Sequence, residues 1–117
     1  LVAGNRRDEH SEFKWFMRCV KRRRKEWDID LPYLKQLWEE QRGICPLTGW
    51  ELELPKHSSD WSNKENKMYR ASLDRIDSSK RYVKGNIRFI SIIANYCKNE
   101  FTDEEVLLFC EAVVGKS

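Results

Sequence analysis

Residues 71–100 constrain the fold of this chain more than any other stretch of it. They contain two short runs in which apolar and polar residues alternate, as in half-buried strands, separated by a polar loop that carries turn residues. Ser91 ends the second run and can cap a helix by accepting a hydrogen bond from a free backbone amide. The stretch therefore predicts antiparallel strands over residues 71–75 and 86–90 and a helix over residues 91–99.

The same residues concentrate side chains that suit a divalent metal ion and a phosphate. Hard divalent ions prefer carboxylate and amide oxygens, while Arg and Lys neutralise phosphate oxygens. The side chains of these kinds are Asp74, Arg75, Asp77, Arg81, Asn86, Asn95, Lys98 and Asn99. Because a helix in this position folds back over the strands, we expect Asp74 and Asn95 to converge in one cleft.

This arrangement resembles the ββα-metal core of the HNH nuclease superfamily. A subgroup of phage-associated and bacterial HNH-like proteins shares the Asp-Arg-Ile-Asp form of residues 74–77 and, upstream, a Cys-Pro-x-Thr-Gly segment like residues 45–49. The resemblance covers residues 40–115. It implies an α+β fold in which a ββα-metal core is flanked by N-terminal and C-terminal helices, in a protein of phage or bacterial defence systems.

The resemblance also implies roles for individual residues. Asp74 and Asn95 would be metal ligands, Asn86 would brace the loop between the strands, and Lys98 stands at a position that is often basic. One Mg²⁺ or Mn²⁺ would hold the scissile phosphate, so the implied activity is hydrolysis of DNA phosphodiesters. A ligating carboxylate costs stability without its metal, so we expect Asp74→Ala to abolish metal-dependent activity and to leave the fold intact.

One position departs from the family pattern. Arg75 stands where the family carries its general-base His, and a guanidinium stays protonated and cannot take a proton from water. A base could come from His57, from Tyr82 or from a second metal-bound hydroxide; otherwise Arg75 only clamps the phosphate of a slow nuclease, or pairs with Asp77. Three function classes stay open: a metal-dependent endonuclease, a nucleic-acid-binding module without catalysis, and a protein-interaction domain.

A basic amphipathic helix is predicted to begin near Ser11. The residues at helical spacing on its inner face are Phe13, Phe16, Met17, Val20, Arg24 and Trp27. The consecutive cations that follow repel one another, which favours a surface that binds the phosphate backbone of duplex DNA without reading bases. The predicted phosphate contacts are Lys21, Arg22, Arg23, Arg24, Lys25 and, from the central stretch, Lys98.

Further helices are predicted on both sides of the central stretch. Asp30 can cap a second helix that ends at Gly43, and Thr102 can cap a final helix that ends at Gly115. The buried side chains expected on these helices and on the central one are Leu31, Leu34, Leu37, Trp38, Ile93, Tyr96, Cys97, Val106, Phe109, Cys110 and Val113.

The chain has 117 residues, enough for one domain with a core and too few for two. We predict a single domain over residues 1–117, with a frayed start at residues 1–10, a helical part at residues 11–43 and the HNH-like part at residues 44–115. No apolar run is long enough to span a membrane and no secretion leader is visible, so we expect a cytoplasmic protein without a membrane partner. The four cysteines form no Cys-x-x-Cys pair, so we expect no structural zinc.

Overall fold

The computed structural model describes residues 11–23, 27–54 and 67–116, which mix helix and strand as an α+β fold requires. The helices are α1 (Lys14–Arg23), α2 (Leu31–Gln41), α3 (Ile92–Lys98) and α4 (Asp103–Lys116), with single 3-10 turns at Ser11–Phe13 and Lys67–Tyr69. The strands are β1 (Trp27–Asp28), β2 (Ala71–Arg75), β3 (Tyr82–Val83) and β4 (Ile87–Ser91). Three residues that the sequence singled out, Arg24, Lys25 and His57, lie outside the described residues.

β2 and β4 form an antiparallel pair, and α3 follows β4 without a break. In the register of this pair Ala71 lies opposite Ser91 and Asp74 lies opposite Arg88. The Ser91 hydroxyl accepts a hydrogen bond of 3.3 Å from the backbone amide of Ala94, so it caps α3 as expected. The predicted order of strand, loop, strand and helix is therefore confirmed for this stretch.

A second small sheet pairs β1 with β3 in parallel and places Trp27 beside Tyr82. The sequence placed Trp27 on the inner face of the first helix, and that prediction is wrong, because Trp27 lies in β1. Pairing with β3 gives the backbone of this segment partners that a longer helix would otherwise supply. The helical spacing of side chains in the sequence gives no sign of this pairing with β3.

The core is built around the fully buried Phe89 on β4. The rings of Phe16 and Trp38 meet it edge-on, with centroids 5.1 Å and 5.3 Å away, an arrangement that aromatic quadrupoles favour. The residues that α1, its preceding turn and α2 bury in this cluster are Phe13, Phe16, Met17, Val20 and Leu34. The apolar face of β4 is thus covered by α1 and α2.

α2 is fixed at both ends. The Asp30 side chain accepts a hydrogen bond of 2.9 Å from the amide of Tyr33, which confirms the predicted cap. At the other end the Gln41 carboxamide donates to the Phe89 carbonyl and accepts from the Phe89 amide, at 2.9 Å and 2.8 Å. Gln41 therefore binds the edge of β4 as a neighbouring strand would. Gly43 follows with a φ of 66°, a backbone conformation that glycine adopts without strain.

α3 turns a different face inward from the one that the sequence predicted. Tyr96, Cys97 and Ile93 are exposed, while Lys98 is buried. The helix lies over the face of β2 that carries Ser72 and Asp74, and those side chains need polar partners once they are desolvated. Ala94 packs against the core, and the other inward side chains of α3, Asn95 and Lys98, are ones that can hydrogen-bond.

α4 begins with the predicted capping box. Thr102 Oγ1 accepts a bond of 3.2 Å from the Glu105 amide, and Glu105 Oε1 accepts one of 3.0 Å from the Thr102 amide. The buried stripe predicted for this helix is wrong, since α4 has no buried residue, and the helix continues through Gly115 to Lys116. Because α1 and α2 already cover the apolar face of β4, α4 has no such surface to pack on.

Within the described ranges, none of the helices combines the length and apolar character that crossing a membrane requires.

Candidate functional site

A polar seam joins β2 to α3. Ser72 and Asp74 share one face of β2, and Asn95 and Lys98 lie one turn apart on α3. Asn95 Nδ2 donates to Ser72 Oγ at 2.6 Å and to the Leu73 carbonyl at 3.3 Å, while Lys98 Nζ lies 3.0 Å from Asp74 Oδ2. Asp74 and Asn95 therefore lie on the same side of the strand pair, and both line one cleft.

The Lys98 ammonium is the cation at the centre of this seam. It is 1% exposed and is surrounded by four oxygens of the segment 74–76. It donates to Asp74 Oδ1 and Oδ2 at 3.3 Å and 3.0 Å, to the Arg75 carbonyl at 2.8 Å and to the Ile76 carbonyl at 3.0 Å. The predicted phosphate contact by Lys98 needs correction, because a side chain so deeply buried does not reach a backbone outside.

Arg88 extends the seam into a network of two cations and two carboxylates. Its Nε donates to Asp74 Oδ2 at 2.9 Å and its Nη2 donates to Asp103 Oδ1 at 2.7 Å. Burial alone would lower the pKa of Arg88, but the hydrogen bonds with Asp103 and Asp74 outweigh burial and raise the pKa. The bond from Arg88 in turn holds the pKa of Asp103 below its ordinary value. The network of Lys98, Asp74, Arg88 and Asp103 is formally neutral.

These residues do not fit a divalent ion as the structure arranges them. Both oxygens of Asp74 already accept from Lys98 or Arg88, and an Mg²⁺ or Mn²⁺ at Asp74 would meet the Lys98 ammonium. No group of three or more His, Cys, Asp or Glu side chains in the described part of the chain could hold a metal. The expectation that Asp74→Ala leaves the fold intact also changes, because that substitution would leave Lys98 and Arg88 without their shared carboxylate.

Asn86 braces the loop between β2 and β4. Its Nδ2 donates to the carbonyls of Asp77 and Arg81 at 3.1 Å and 3.0 Å, and its Oδ1 accepts from the Asp77 amide at 2.9 Å. Asp77 itself accepts from the hydroxyl and the amide of Ser79, bonds that lower the pKa of Asp77. The side chain of Asn86 thus has the position and the bonding that the resemblance implied for it.

Arg75 lies on the other side of β2 from Asp74. Its Nη1 donates to the Lys80 carbonyl at 3.1 Å, and its guanidinium lies 5.4 Å from the ring centroid of the buried Tyr82. It therefore does not pair with Asp77, which was the other interpretation of this residue. A guanidinium over the Tyr82 ring positions a positive charge beside the cleft but supplies no base.

A cleft of about 690 Å³ opens between α1, the turn at Lys67–Tyr69, β2 and α3. The cationic residues that line it are Arg23, Lys67, Arg70 and Arg75. Asp74 is the single acidic residue of this lining within the described ranges, and it is already paired with two cations. Arg70 is itself buried, so the positive charge that the described lining residues present to the cleft comes from Arg23, Lys67 and Arg75.

Sequence reasoning missed Lys67 and Arg70. Lys67 begins the 3-10 turn at residues 67–69, and Arg70 follows that turn in a β-bridge with Glu53; both line the cleft. Both residues are visible in the sequence, but their place at the cleft is known only from the fold. Of the predicted cations on α1, Lys21, Arg22 and Arg23 are exposed, and Arg23 lines the cleft.

Comparison with known proteins adds no relative to this geometry. No protein-family model, curated protein or solved structure matches the chain. The residues and their arrangement carry the functional argument.

Proposed function

We propose that this chain is a nucleic-acid-binding module whose basic cleft holds the phosphodiester backbone of DNA without metal chemistry. The observation that supports the proposal is the charge of the cleft. Its exposed or half-buried cations are Arg23, Lys67 and Arg75, and the one carboxylate among its described lining residues is balanced by Lys98 and Arg88. A phosphate that enters the cleft meets a net positive field, and each phosphate that is neutralised releases counterions from the nucleic acid.

The end of α1 extends this surface. Lys21 and Arg22 are exposed next to Arg23, so a backbone that leaves the cleft would pass further cations. Contacts to phosphates position a nucleic acid and carry no sequence information. DNA is therefore bound through its backbone, with affinity that falls steeply as salt rises.

Fluorescence anisotropy with a short labelled DNA at several salt concentrations tests the proposal. The double variant Arg23→Ala with Lys67→Ala removes two exposed cations of the cleft, while Lys116→Ala removes one at the far end of α4 as a control. The slope of log affinity against log salt should fall by roughly 0.7–0.9 for each phosphate that the double variant no longer neutralises. The control should keep the wild-type slope. A double variant that binds like Lys116→Ala would contradict the proposal.

A metal-dependent endonuclease is the second candidate. The observation that favours it is the placement of Asp74 and Asn95 on one side of the strand pair and in one cleft. Such an activity would require Lys98 to leave Asp74. Plasmid nicking with Mg²⁺, with Mn²⁺ or with chelator separates the two candidates: the binding module binds in all three conditions and cleaves in none, whereas cleavage that chelator abolishes would establish the nuclease.

A further inference from the structure

An exposed aromatic side chain stands in the wall of the basic cleft. Tyr96 is 69% exposed on α3, although helical spacing predicted it on the buried side. Trp15 on α1 and Tyr82, with Arg75 over its ring, line the same cleft. Aromatic rings beside cations form the kind of surface on which proteins stack the bases of single-stranded nucleic acids.

The shape of the site favours a single strand over a duplex. Proteins read duplex DNA with a protruding helix or ribbon that enters a groove. Here the cations and rings line a recess of about 690 Å³, which lies in the size range of pockets for small ligands. In a duplex the bases stack on each other, so Tyr96 can stack only on a base that is unpaired.

Asn95 adds an acceptor for the edge of such a base. Its Nδ2 is identified by its bond to the Leu73 carbonyl, which can only accept. Among the described residues, every buried side-chain N or O atom has a hydrogen-bond partner. The side-chain hydrogen bonds of Asn95 within the described residues are both made by Nδ2, and Asn95 lines the cleft, which leaves Oδ1 as the acceptor for a ligand there.

We propose that the cleft takes single-stranded DNA, with one unpaired base stacked on Tyr96 and the exocyclic amino group of that base donating to Asn95 Oδ1. The inference rests on the proposed function, because the backbone of the strand is held by the cations Arg23 and Lys67 of the same cleft. It replaces the duplex that the sequence predicted as the occupant of the cleft. Asn95 is held in place by Ser72 and Leu73, so its acceptor is fixed before the strand arrives.

The test compares three labelled probes of equal length by fluorescence anisotropy: a single strand, its duplex, and a single strand with abasic sites. Tyr96→Ala should weaken binding of the single strand by about 5- to 150-fold, the usual effect of losing one base stack, and should leave duplex binding unchanged. Tyr96→Phe should retain wild-type affinity, because the ring is kept. Phe101→Ala removes another exposed aromatic, 56% exposed, that does not line the cleft, and it should have no effect.

The strand with abasic sites and the Tyr96→Ala variant together form a thermodynamic cycle. The abasic strand should bind the wild type at least as weakly as the intact strand binds Tyr96→Ala, because it loses the bond to Asn95 as well as the stack, and Tyr96→Ala should cause no further loss of its affinity. A cytosine strand should bind more tightly than a thymine strand, because only cytosine carries an exocyclic amino group for Asn95. Equal affinities for the two strands would remove Asn95 from the proposal.

The inference and the proposed function fail in different ways. If the duplex binds as tightly as the single strand and Tyr96→Ala changes neither, the inference is overturned while binding through Arg23 and Lys67 stands. A mononucleotide that displaces the strand at equal concentration overturns the inference as well. If no probe binds, or if Arg23→Ala with Lys67→Ala has no effect on any of them, the proposed function falls too.

Discussion

Replacing Lys98 with Met tests whether the ammonium holds the site together. Met keeps most of the aliphatic stem, so the substitution removes chiefly the charge and its bonds to Asp74, Arg75 and Ile76. Breaking a buried ion pair by removing one partner costs about 3–5 kcal/mol, because the remaining charge and acceptors stay desolvated. We expect a loss of that size in the free energy of unfolding, which is a large fraction of the ~5–15 kcal/mol of an ordinary domain.

Urea denaturation followed by tryptophan fluorescence measures this loss, and the chain offers a matched control. Lys35 pairs with Glu39 on the surface of α2, with side chains 33% and 61% exposed. Lys35→Met should cost no more than about 1 kcal/mol, as exposed pairs do. In a cycle with Asp74→Asn, the two losses should be non-additive by roughly 0.5–3 kcal/mol. A Lys98→Met variant no less stable than Lys35→Met would refute the account of the seam.

Lys98 also allows metal binding to be tested by thermal stability instead of cleavage. If Lys98 is the cation of the site, millimolar Mn²⁺ should not raise the melting temperature of the wild type. A ligand that binds only the folded state raises stability, by about 2.7 kcal/mol when it is present at 100 times its Kd. Lys98→Ala removes the ammonium and frees Asp74 Oδ1, while Oδ2 keeps its bond from Arg88, so Mn²⁺ should stabilise that variant more than the wild type. Stabilisation of the wild type by Mn²⁺ would favour the nuclease instead.

Two further predictions concern the loop and the network. Arg88 holds the pKa of Asp103 below its ordinary value, so this pair stabilises the folded state above the unfolded pKa of about 3.9. That stability is lost as the pH falls through the lower pKa of the folded state. Urea denaturation between about pH 5 and pH 3 should therefore show a flatter pH dependence for Asp103→Asn than for the wild type. Asn86→Ala removes three bonds that hold residues 77–81, so it should cost about 1–3 kcal/mol and speed amide hydrogen exchange there more than in α2. Unchanged exchange in that loop would show that other contacts hold it.

The elements that sequence reasoning located correctly are those with local signals. Alternation placed β2 and β4, and a side-chain cap placed the start of α3, because strand pairing and capping depend on residues close in sequence. The inward faces of α3 and α4 were misassigned, because the face a helix buries depends on the surface opposite it. Because the side chains of β2 that face α3 are polar, Lys98 rather than Tyr96 is buried against them. The sequence of α3 alone does not indicate which of the two is buried.

Sequence reasoning identified several residues of the candidate site but not the hydrogen bonds and ion pairs between them. Asp74 and Asn95 were expected on one side of the strand pair, and they lie there. Lys98 was expected to contact phosphate because the resemblance puts it at a position that is often basic, and its burial could not be foreseen, since its counter-charge lies 24 residues earlier in the chain. Only the folded backbone brings the ammonium to Asp74 and to two carbonyl oxygens, and only the 3-10 turn brings Lys67 to the cleft.

Two departures from the HNH pattern act in the same direction. A site of that type needs a neutral base beside the first strand and a divalent ion on its carboxylate. This chain has Arg75 at the position of the base, and the Lys98 ammonium lies on the carboxylate of Asp74. Neither of these cations can activate a water. The charge of Lys98 is already balanced by Asp74, so on the proposed function phosphate is attracted by the exposed cations of the cleft, Arg23 and Lys67, and this is why we favour binding over cleavage.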